Sequence, residues 1–492
     1  MRRLNKTGSK LEKVSNDISR TESLASQIQT PFDDMIPASS EPSAQFYLDA
    51  MRIYLGLCTG SLSIESAMKA SEILKENPEY TTCPTNPAMI PINERYKSRI
   101  LDNLKTLKKF NLITRDSIKS AYSFAFLSEE GPISKTDYDA LLLFTKEPEI
   151  TLVDASKTLG ITPRTIARSI QRLKERYVVR FSALLDYTVF NLQSVMLFFV
   201  LRDGANWSEV EDCVIKYPFT KSILKTTMTD LGYVTFLIPN ITETRQVFQR
   251  SIRDVSQEFF EYASLHYQTG VGTTSNLSLL IDNVWQMPDF LKNKSSDLTS
   301  SSYNLPPLIE CQGPKEEYSQ SDLAIAAQIQ SDSRAGPSRI SSNLRMRGID
   351  VDARRVTKID RSLRNSNLLK SYVLFGGLGL STNFCFEIIC NENWKQRILA
   401  IVSQFPWVMY YLSNRGIVLW TMTPGNHQVD YYQLFRTLEE NPGVEKVHPI
   451  MTIAQGGSKT VLDLTRKLRL ESGRWNIKID DVDLTYCLPE ID

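Results

Sequence analysis

Hydrophobic and polar positions along this chain sort into short helical stretches and extended ones, in an order that repeats. QFYLDAMRIYLGLC (45–58) and SIESAMKASEIL (63–74) carry helical spacing. A proline-marked loop follows, and a long helix is predicted from Asn93 on, with Ile100, Leu104 and Leu107 at i, i+4, i+7 on one face. NLITRDSIKSAYSFAFL (111–127) predicts a short two-stranded wing.

Three helical patterns at 137–146, 151–159 and 163–176 come next, and they lead into the extended run SVMLFFVLR (194–202). A helix (206–217), two strands around the glycine of TDLGYVTFLIP, a helix (241–257) and the strand FFEYASLHYQ complete the unit. The order β-α-β-β-α-β predicts two crossovers sharing one antiparallel sheet, a ferredoxin-like sandwich with two helices on one face. Beyond a polar, proline-bearing linker the series returns. Helical patterns at 321–331, 337–347 and 352–364 precede FCFEIIC, a helix (392–404), strands around YYLSNRGIVLWTM, a helix (428–440) and VEKVHPIMTI. Markers recur in register: NW at 206–207 and 393–394, YPF at 217–219 and FPW at 405–407, LGYVTFLIP at 231–239 and RGIVLWTMTP at 415–424. Internal repetition at this scale fixes architecture before any local assignment.

The expected fold class is therefore α+β, with helix-turn-helix units joined to two βαββαβ units. The expected boundaries are a flexible tail (1–42), an N-terminal winged helix (43–130), a winged helix-turn-helix (136–190) and a ferredoxin-like domain (191–290). A linker (291–320), a second helix-turn-helix-like unit (321–375), a second ferredoxin-like domain (376–456) and a C-terminal extension (457–492) follow. Length alone, 492 residues, asks for several cores. The longest apolar run stops at Arg202, too short for a bilayer. The basic start lacks the apolar stretch of a signal peptide, and seven scattered cysteines without CxxC spacing suggest reduced thiols, so a cytoplasmic protein is expected.

Net charge is only +1, so affinity for nucleic acid has to come from local patches. One such patch is TLGITPRTIARSIQRLKERYVV (158–179). Gly160 can take a left-handed turn, Thr162 can cap and Pro163 fits the first helical turn. Ile166, Ile170 and Leu173 share the inward face, which turns Arg164, Thr165, Arg168 and Arg172 outward, with Arg176 a turn further on. Helix, glycine turn and capped second helix are the geometry that enters a major groove, and guanidinium groups suit phosphates and guanine edges. A solvated basic face on a packing helix is the plain alternative. The third unit carries a looser version: Asp352 caps, Val356 and Leu363 face inward, and Arg354, Arg355, Lys358, Arg361 and Arg364 crowd the outside. Lysine-rich 95–109 suits backbone contacts with nucleic acid, or a structural role alone.

With those residues in view, 136–270 resembles the leucine-responsive (Lrp/AsnC, feast–famine) family of transcription regulators, and 321–455 does so more faintly. The resemblance rests on the helix-turn-helix, the exit RFSALLDYTVFNLQ and the βαββαβ unit with YPF and LGYVTFLIP. It implies a regulator that binds double-stranded DNA, dimerises through its sandwich domain and in some members binds a small-molecule effector. Where the family has an acidic residue after the turn glycine, Tyr233 follows Gly232 and Ile417 follows Gly416, so the effector is left unassigned.

Siroheme decarboxylases share this architecture as fused pairs and are the rival reading. Their chemistry calls for histidine or arginine near substrate carboxylates. Only His266, His427 and His448 exist, and His266 and His448, on the last strand of each unit, do not align when the flanking glycines are matched. No metal-ligand spacing or phosphate loop occurs, and GGLGLS (376–381) reads as a turn. The residues thus predict no enzyme, no cofactor and no metal. The aromatic residues Phe219, Tyr233, Trp407, Tyr410, Tyr411 and Trp420 read as core or interface. Strands apolar at nearly every position ask for cover on both faces, which predicts that the two sheets pair within the chain or across a homodimer.

Overall fold

The computed structural model describes residues 28, 30, 42–76, 94–126 and 132–485, apart from gaps at 178, 226–229, 289–307, 376–377, 381, 452–453, 459–460, 466–467 and 472. Most of the expected flexible tail lies outside the described residues. The described chain divides into one unit up to residue 126 and one from 132 on.

The first unit is helical throughout its described residues: α1 (Pro42–Thr59), α2 (Ile64–Glu76), α3 (Glu94–Lys109) and α4 (Arg115–Phe126). The two-stranded wing expected at 111–127 is thus replaced by a helix. Ile118, Ala121 and Tyr122, at i, i+3, i+4, pack on the α3 residues Ile100 and Leu104, and this burial decides for helix over strand. Lys97, within the lysine-rich 95–109 read as suited to backbone contacts, is buried.

The second unit begins with α5 (Lys135–Lys146), α6 (Leu152–Leu159) and α7 (Pro163–Arg176). Then β1 (Val179–Leu185), β2 (Leu192–Leu201), α8 (Trp207–Lys216), β3 (Thr220–Lys225), β4 (Leu231–Pro239), α9 (Thr242–Phe259) and β5 (Phe260–Ser275) give the expected β-α-β-β-α-β order. A small hairpin of β6 (Leu280–Ile281) and β7 (Val284–Trp285) follows. Within the expected linker, β8 (Leu308–Glu310) pairs with β5. The second series is α10 (Gln320–Ser331), α11 (Pro337–Met346), α12 (Ala353–Asn365), β9 (Leu369–Phe375), β10 (Thr382–Cys390), α13 (Glu392–Val402), β11 (Trp407–Ser413), β12 (Gly416–Thr423), α14 (Gln428–Leu438) and β13 (Val444–Met451).

Strand order is β3-β4-β2-β5 in the first sheet and β11-β12-β10-β13 in the second. Alternation along each strand separates two apolar faces. In the first sheet, Val195, Leu197 and Phe199 meet Val214, Phe248 and Ile252 of α8 and α9. In the second, Phe386, Ile388 and Leu419 meet Ile398, Val402 and Phe435 of α13 and α14. The opposite faces share one core, with Met196, Phe198 and Tyr233 against Cys385, Trp420 and Met422. The Tyr233 and Trp420 rings meet edge to face at 5.8 Å. The two sheets therefore cover one another within a single chain, as their apolar strands require. The 16-residue β5 joins them, its first half pairing with β2 and its second with β11.

The wing expected at RFSALLDY is not a local hairpin. β1 pairs antiparallel with β9 of the second series, Val179 opposite Phe375 through Leu185 opposite Leu369, which clasps the two three-helix units together. Arg334 reinforces the clasp by donating to the carbonyls of Pro148 (2.9 Å) and Ile150 (3.0 Å), and Arg364 pairs with Glu149. In and just before the C-terminal extension, β14 (Ala454–Ser458) extends the first sheet beyond β3, and the Tyr217 hydroxyl donates to the Val482 carbonyl at 2.8 Å. No helix among the described residues is long and apolar enough to cross a membrane.

Candidate functional site

Polar chemistry collects at one place between the sheets. Register puts His266 of β5 beside Met196, and Glu387 of β10 beside both Val418 and His448 of β13, so all three side chains leave the helix-free faces. Glu387 Oε1 lies 2.6 Å from His266 Nε2, and its Oε2 lies 2.6 Å from His448 Nδ1. His266 and Glu387 are fully buried, whereas the His448 side chain keeps 14% of its surface exposed.

A second ring of groups holds these three. His266 Nδ1 is 2.8 Å from the Ser413 hydroxyl, which also receives the backbone N–H groups of Arg415 and Gly416. Arg415 Nη1 donates to the Ser264 hydroxyl at 2.8 Å, and Ser264 lies 3.1 Å from His266 Nε2. The Tyr262 ring stands edge-on to His448 with centroids 4.6 Å apart. Burial alone would push the Glu387 carboxyl up, but the hydrogen bonds from His266 and His448 outweigh it and hold the acid at about 2. Glu387 is thus an anion in a nearly dry place, hydrogen-bonded by two imidazoles. Its His448 partner takes no hydrogen bond at Nε2 among the described residues, so that nitrogen is available to a ligand.

The two histidines were missed as a pair because equivalent positions were compared. Counted from the prolines ending β4 and β12, Tyr233 and Val418 each lie six residues back. Register then equates Glu387 with Phe198, His448 with Ser264, and His266 with Ile450. Two facing units related by a rough two-fold bring non-equivalent positions together. A site shared between them therefore draws on residues that do not align. Glu387 was hidden inside FCFEIIC, read as apolar throughout.

The arginine helix forms as expected. Gly160 sits at φ 65°, Thr162 accepts from the backbone N–H of Thr165, and Ile166 and Leu173 are buried. Arg164, Arg168 and Arg176 are exposed, and Thr165 is half-buried. Arg172 turns back instead: its guanidinium grips buried Asp137 of α5 at 2.6 and 3.0 Å. The second series repeats that grip, since Arg355 reaches buried Asp322 of α10 at 3.0 Å. Arg354, Lys358 and Arg361 are exposed on α12. Asp360, at the position of Ile170, accepts from Arg364 at 2.8 Å. Of the aromatic residues, Phe219 and Tyr410 sit under the helices, while Tyr233, Trp407 and Trp420 lie in the core shared by the sheets. The five described cysteines are free thiols, and no cluster of metal-binding side chains occurs among the described residues.

No protein-family model and no curated protein matches the chain. Among solved structures, siroheme decarboxylase NirDL is similar over 67% of this chain and 96% of its own, at 12% identity and a TM-score of 0.40. The regulator NMB0573 of Neisseria meningitidis, solved with L-Met, is similar over 27% of this chain and 88% of its own, at 20% identity and a TM-score of 0.22. An AsnC family regulator from Agrobacterium tumefaciens covers 27% and 89%, at 16% identity and a TM-score of 0.21. Likeness this distant assigns neither family nor activity. The expectation that the chain is no enzyme nevertheless loses its ground, because two of the three histidines read as isolated, His266 and His448, converge on one carboxylate.

Proposed function

We propose that the chain is an enzyme of the siroheme decarboxylase kind, in which tandem winged helix-turn-helix and ferredoxin-like units build one acid–base site between their sheets. The observation that carries this reading is Glu387 held as an anion between His266 and His448, with Arg415 beside them. Decarboxylation of an acetate side chain breaks a carbon–carbon bond, releases CO2 and leaves an electron pair on carbon, which a proton must quench. His448 suits the donor role. Glu387 on Nδ1 fixes the ring, which leaves Nε2 to deliver the proton. Arg415 is the cation placed to orient a carboxylate of the substrate. His266, tied to Ser413, balances the second carboxylate oxygen and acts on His448 only through Glu387.

Purified protein incubated with siroheme should release CO2 and yield a product lighter by that mass. H448A should slow turnover by about 10²-fold or more, while H448Q should still bind the tetrapyrrole. A protein that neither binds the tetrapyrrole nor releases CO2 would overturn this reading. Cytoplasmic residence, consistent with free thiols, belongs to the same proposal.

A second reading, a DNA-binding regulator, has one specific observation behind it. Arg164 and Arg168 project from a helix capped by Thr162 and take no partner among the described residues. Thr165 and Arg176 flank them, and Arg354, Lys358 and Arg361 would add phosphate contacts. Arg172 and Arg355 would contribute only by leaving their aspartates. Duplex affinity should then fall steeply with salt. R164A/R168A should cost more on a specific site than K105A/K108A does, and equal losses on specific and random duplexes would remove base reading from α7.

A further inference from the structure

The turn between α3 and α4 of the first unit leaves large apolar side chains in water. Phe110 is 60% exposed, Leu112 46% and Ile113 42%. Ten large apolar side chains are exposed among the described residues, and three of them fall within these four consecutive positions. The backbone fixes the turn. Asn111 sits at φ 52°, its N–H donates to the Lys108 carbonyl at 3.2 Å, and the Leu112 N–H donates to the Leu107 carbonyl at 2.9 Å. Thr114 caps α4, its hydroxyl accepting from the Ser117 N–H at 3.3 Å. A helix end of this kind commonly lays the residue in the place of Leu112 against the one in the place of Leu107, which accounts for part of Leu112. It accounts for neither Phe110 nor Ile113.

Cations flank the tip on both helices. Lys105, Lys108 and Lys109 precede it on α3, and Arg115 and Lys119 follow it on α4, against one acid in the same stretch, Asp116. Asp102 lies almost a further turn away along α3. Lys108 pairs with Glu65 of α2 at 3.0 Å. Lys105, Lys109 and Arg115 are exposed and take no ion pair among the described residues. Lys109 adjoins the apolar group directly, its Nζ 5.3 Å from the Phe110 ring centroid. Lys105 stands roughly 6 Å further up the helix, at 1.5 Å per residue. Duplex phosphates would satisfy these cations and leave the three apolar side chains wet. A bilayer surface takes both, apolar groups at the acyl boundary and cations at the headgroup phosphates. We propose that this turn docks on a membrane surface bearing anionic lipid headgroups. Phe110, Leu112 and Ile113 enter the interface, and Lys105, Lys109 and Arg115 meet the phosphates above them. The contact is one of surface docking, not of spanning, and it rests on neither reading of the second unit.

The test is co-sedimentation of the full chain with vesicles of phosphatidylcholine alone or mixed with phosphatidylglycerol. Partition onto the mixed vesicles is expected, and it should weaken in high salt. F110S/L112S/I113S, at positions already in water, should keep the wild-type unfolding midpoint and reduce partition about tenfold or more. K105Q/K109Q/R115Q should also reduce it about tenfold or more, since each cation near an anionic surface contributes about fivefold. No preference for the mixed vesicles, or partition that survives the serine variant, overturns the proposal. Duplex binding or self-association that occurs without vesicle binding, and that the serine variant loses, would assign the tip to nucleic acid or to a second copy of the chain. Either outcome overturns the membrane form.

Discussion

Glu387 and Phe198 occupy equivalent places on the middle strands of two facing sheets, yet they are solved in opposite ways. Around Phe198 the first sheet is dry: its ring lies 4.6 Å from Tyr233 and 5.8 Å from the His266 imidazole, and Ser264 and Ile450 fill the positions matching His448 and His266. Around Glu387 the second sheet buries an anion and satisfies it with two imidazoles. A packed aromatic position stabilises by area removed from water, on the order of 2–3 kcal/mol for such a side chain. A buried charge stabilises little on balance, because desolvation offsets most of its attraction. The difference is that area removed from water accounts for Phe198 but not for Glu387, and that among the described residues the first sheet has no counterpart of the buried acid.

The largest effect should come from unpairing the anion's partners. E387A leaves a buried imidazole, His266, and a half-buried one, His448, without their acceptor and should cost about 3–5 kcal/mol in urea unfolding. Installing the counterpart residues together, H266I/E387F/H448S, should cost less than half as much, since nothing polar is then left unmatched. If the triple variant were as unstable as E387A, the equivalence drawn here between the two places would break.

Next in size is the dependence on pH. The Glu387 carboxyl falls from its ordinary 4.5 to about 2 on folding. A depressed acid stabilises fully above its unfolded value and loses that contribution as pH falls through its folded one. Wild type should therefore lose roughly 3 kcal/mol of stability between pH 4.5 and 2 that an E387M variant does not lose. Phe198 has no titrating group, so F198L should track wild type over that range. A gap between wild type and E387M that stays constant with pH would mean Glu387 is not the anion described.

Much of this architecture is legible in the sequence, and the part that is not has a single cause. The helix over 163–176 and the two βαββαβ orders follow from periods of 3.6 and 2, which are local. The duplicated markers fix where the second sheet starts. The N-terminal unit was misread because 115–126 has both strand-like composition and a helical i, i+3, i+4 face, and only packing on α3 decides between them. The cluster was missed because it depends on which positions of two sheets come face to face. Glu387 in FCFEIIC carries the one usable signal, a lone acid at the centre of a strand otherwise apolar throughout, which has to find a partner. The clasp of β1 with β9 was equally out of reach, since it pairs strands nearly 200 residues apart.

A smaller effect is expected at the support of the cluster. Ser413 Oγ serves His266 and two backbone N–H groups, so S413A leaves three groups short and should cost about 1–3 kcal/mol. S264A removes a hydroxyl only 3.1 Å from His266 and bonded to a partly exposed arginine, and should cost less than S413A. Equal costs would mean that the histidine is held as firmly from its Nε2 side as from its Nδ1 side.

The smallest effect should be at Tyr262. Its hydroxyl lies 3.3 and 3.5 Å from the Glu387 oxygens, beyond the 2.5–3.0 Å of an ordinary O–H···O bond. Burial first and Glu387 second push its hydroxyl up to about 12, so near neutral pH it can only donate. Y262F keeps the ring against His448 and beneath Lys446, whose Nζ lies 5.5 Å from the centroid, and removes that long contact and the hydroxyl's interaction with Ser264. Stability should change by no more than about 0.5 kcal/mol, while Y262A, which also removes the ring, should cost clearly more. If Y262F instead matched S413A, the hydroxyl would be part of the anion's support in solution. The contrast would then have to be redrawn as Phe198 against three polar groups on Glu387 (His266, His448 and Tyr262), with Tyr262 closing the side on which His448 is exposed.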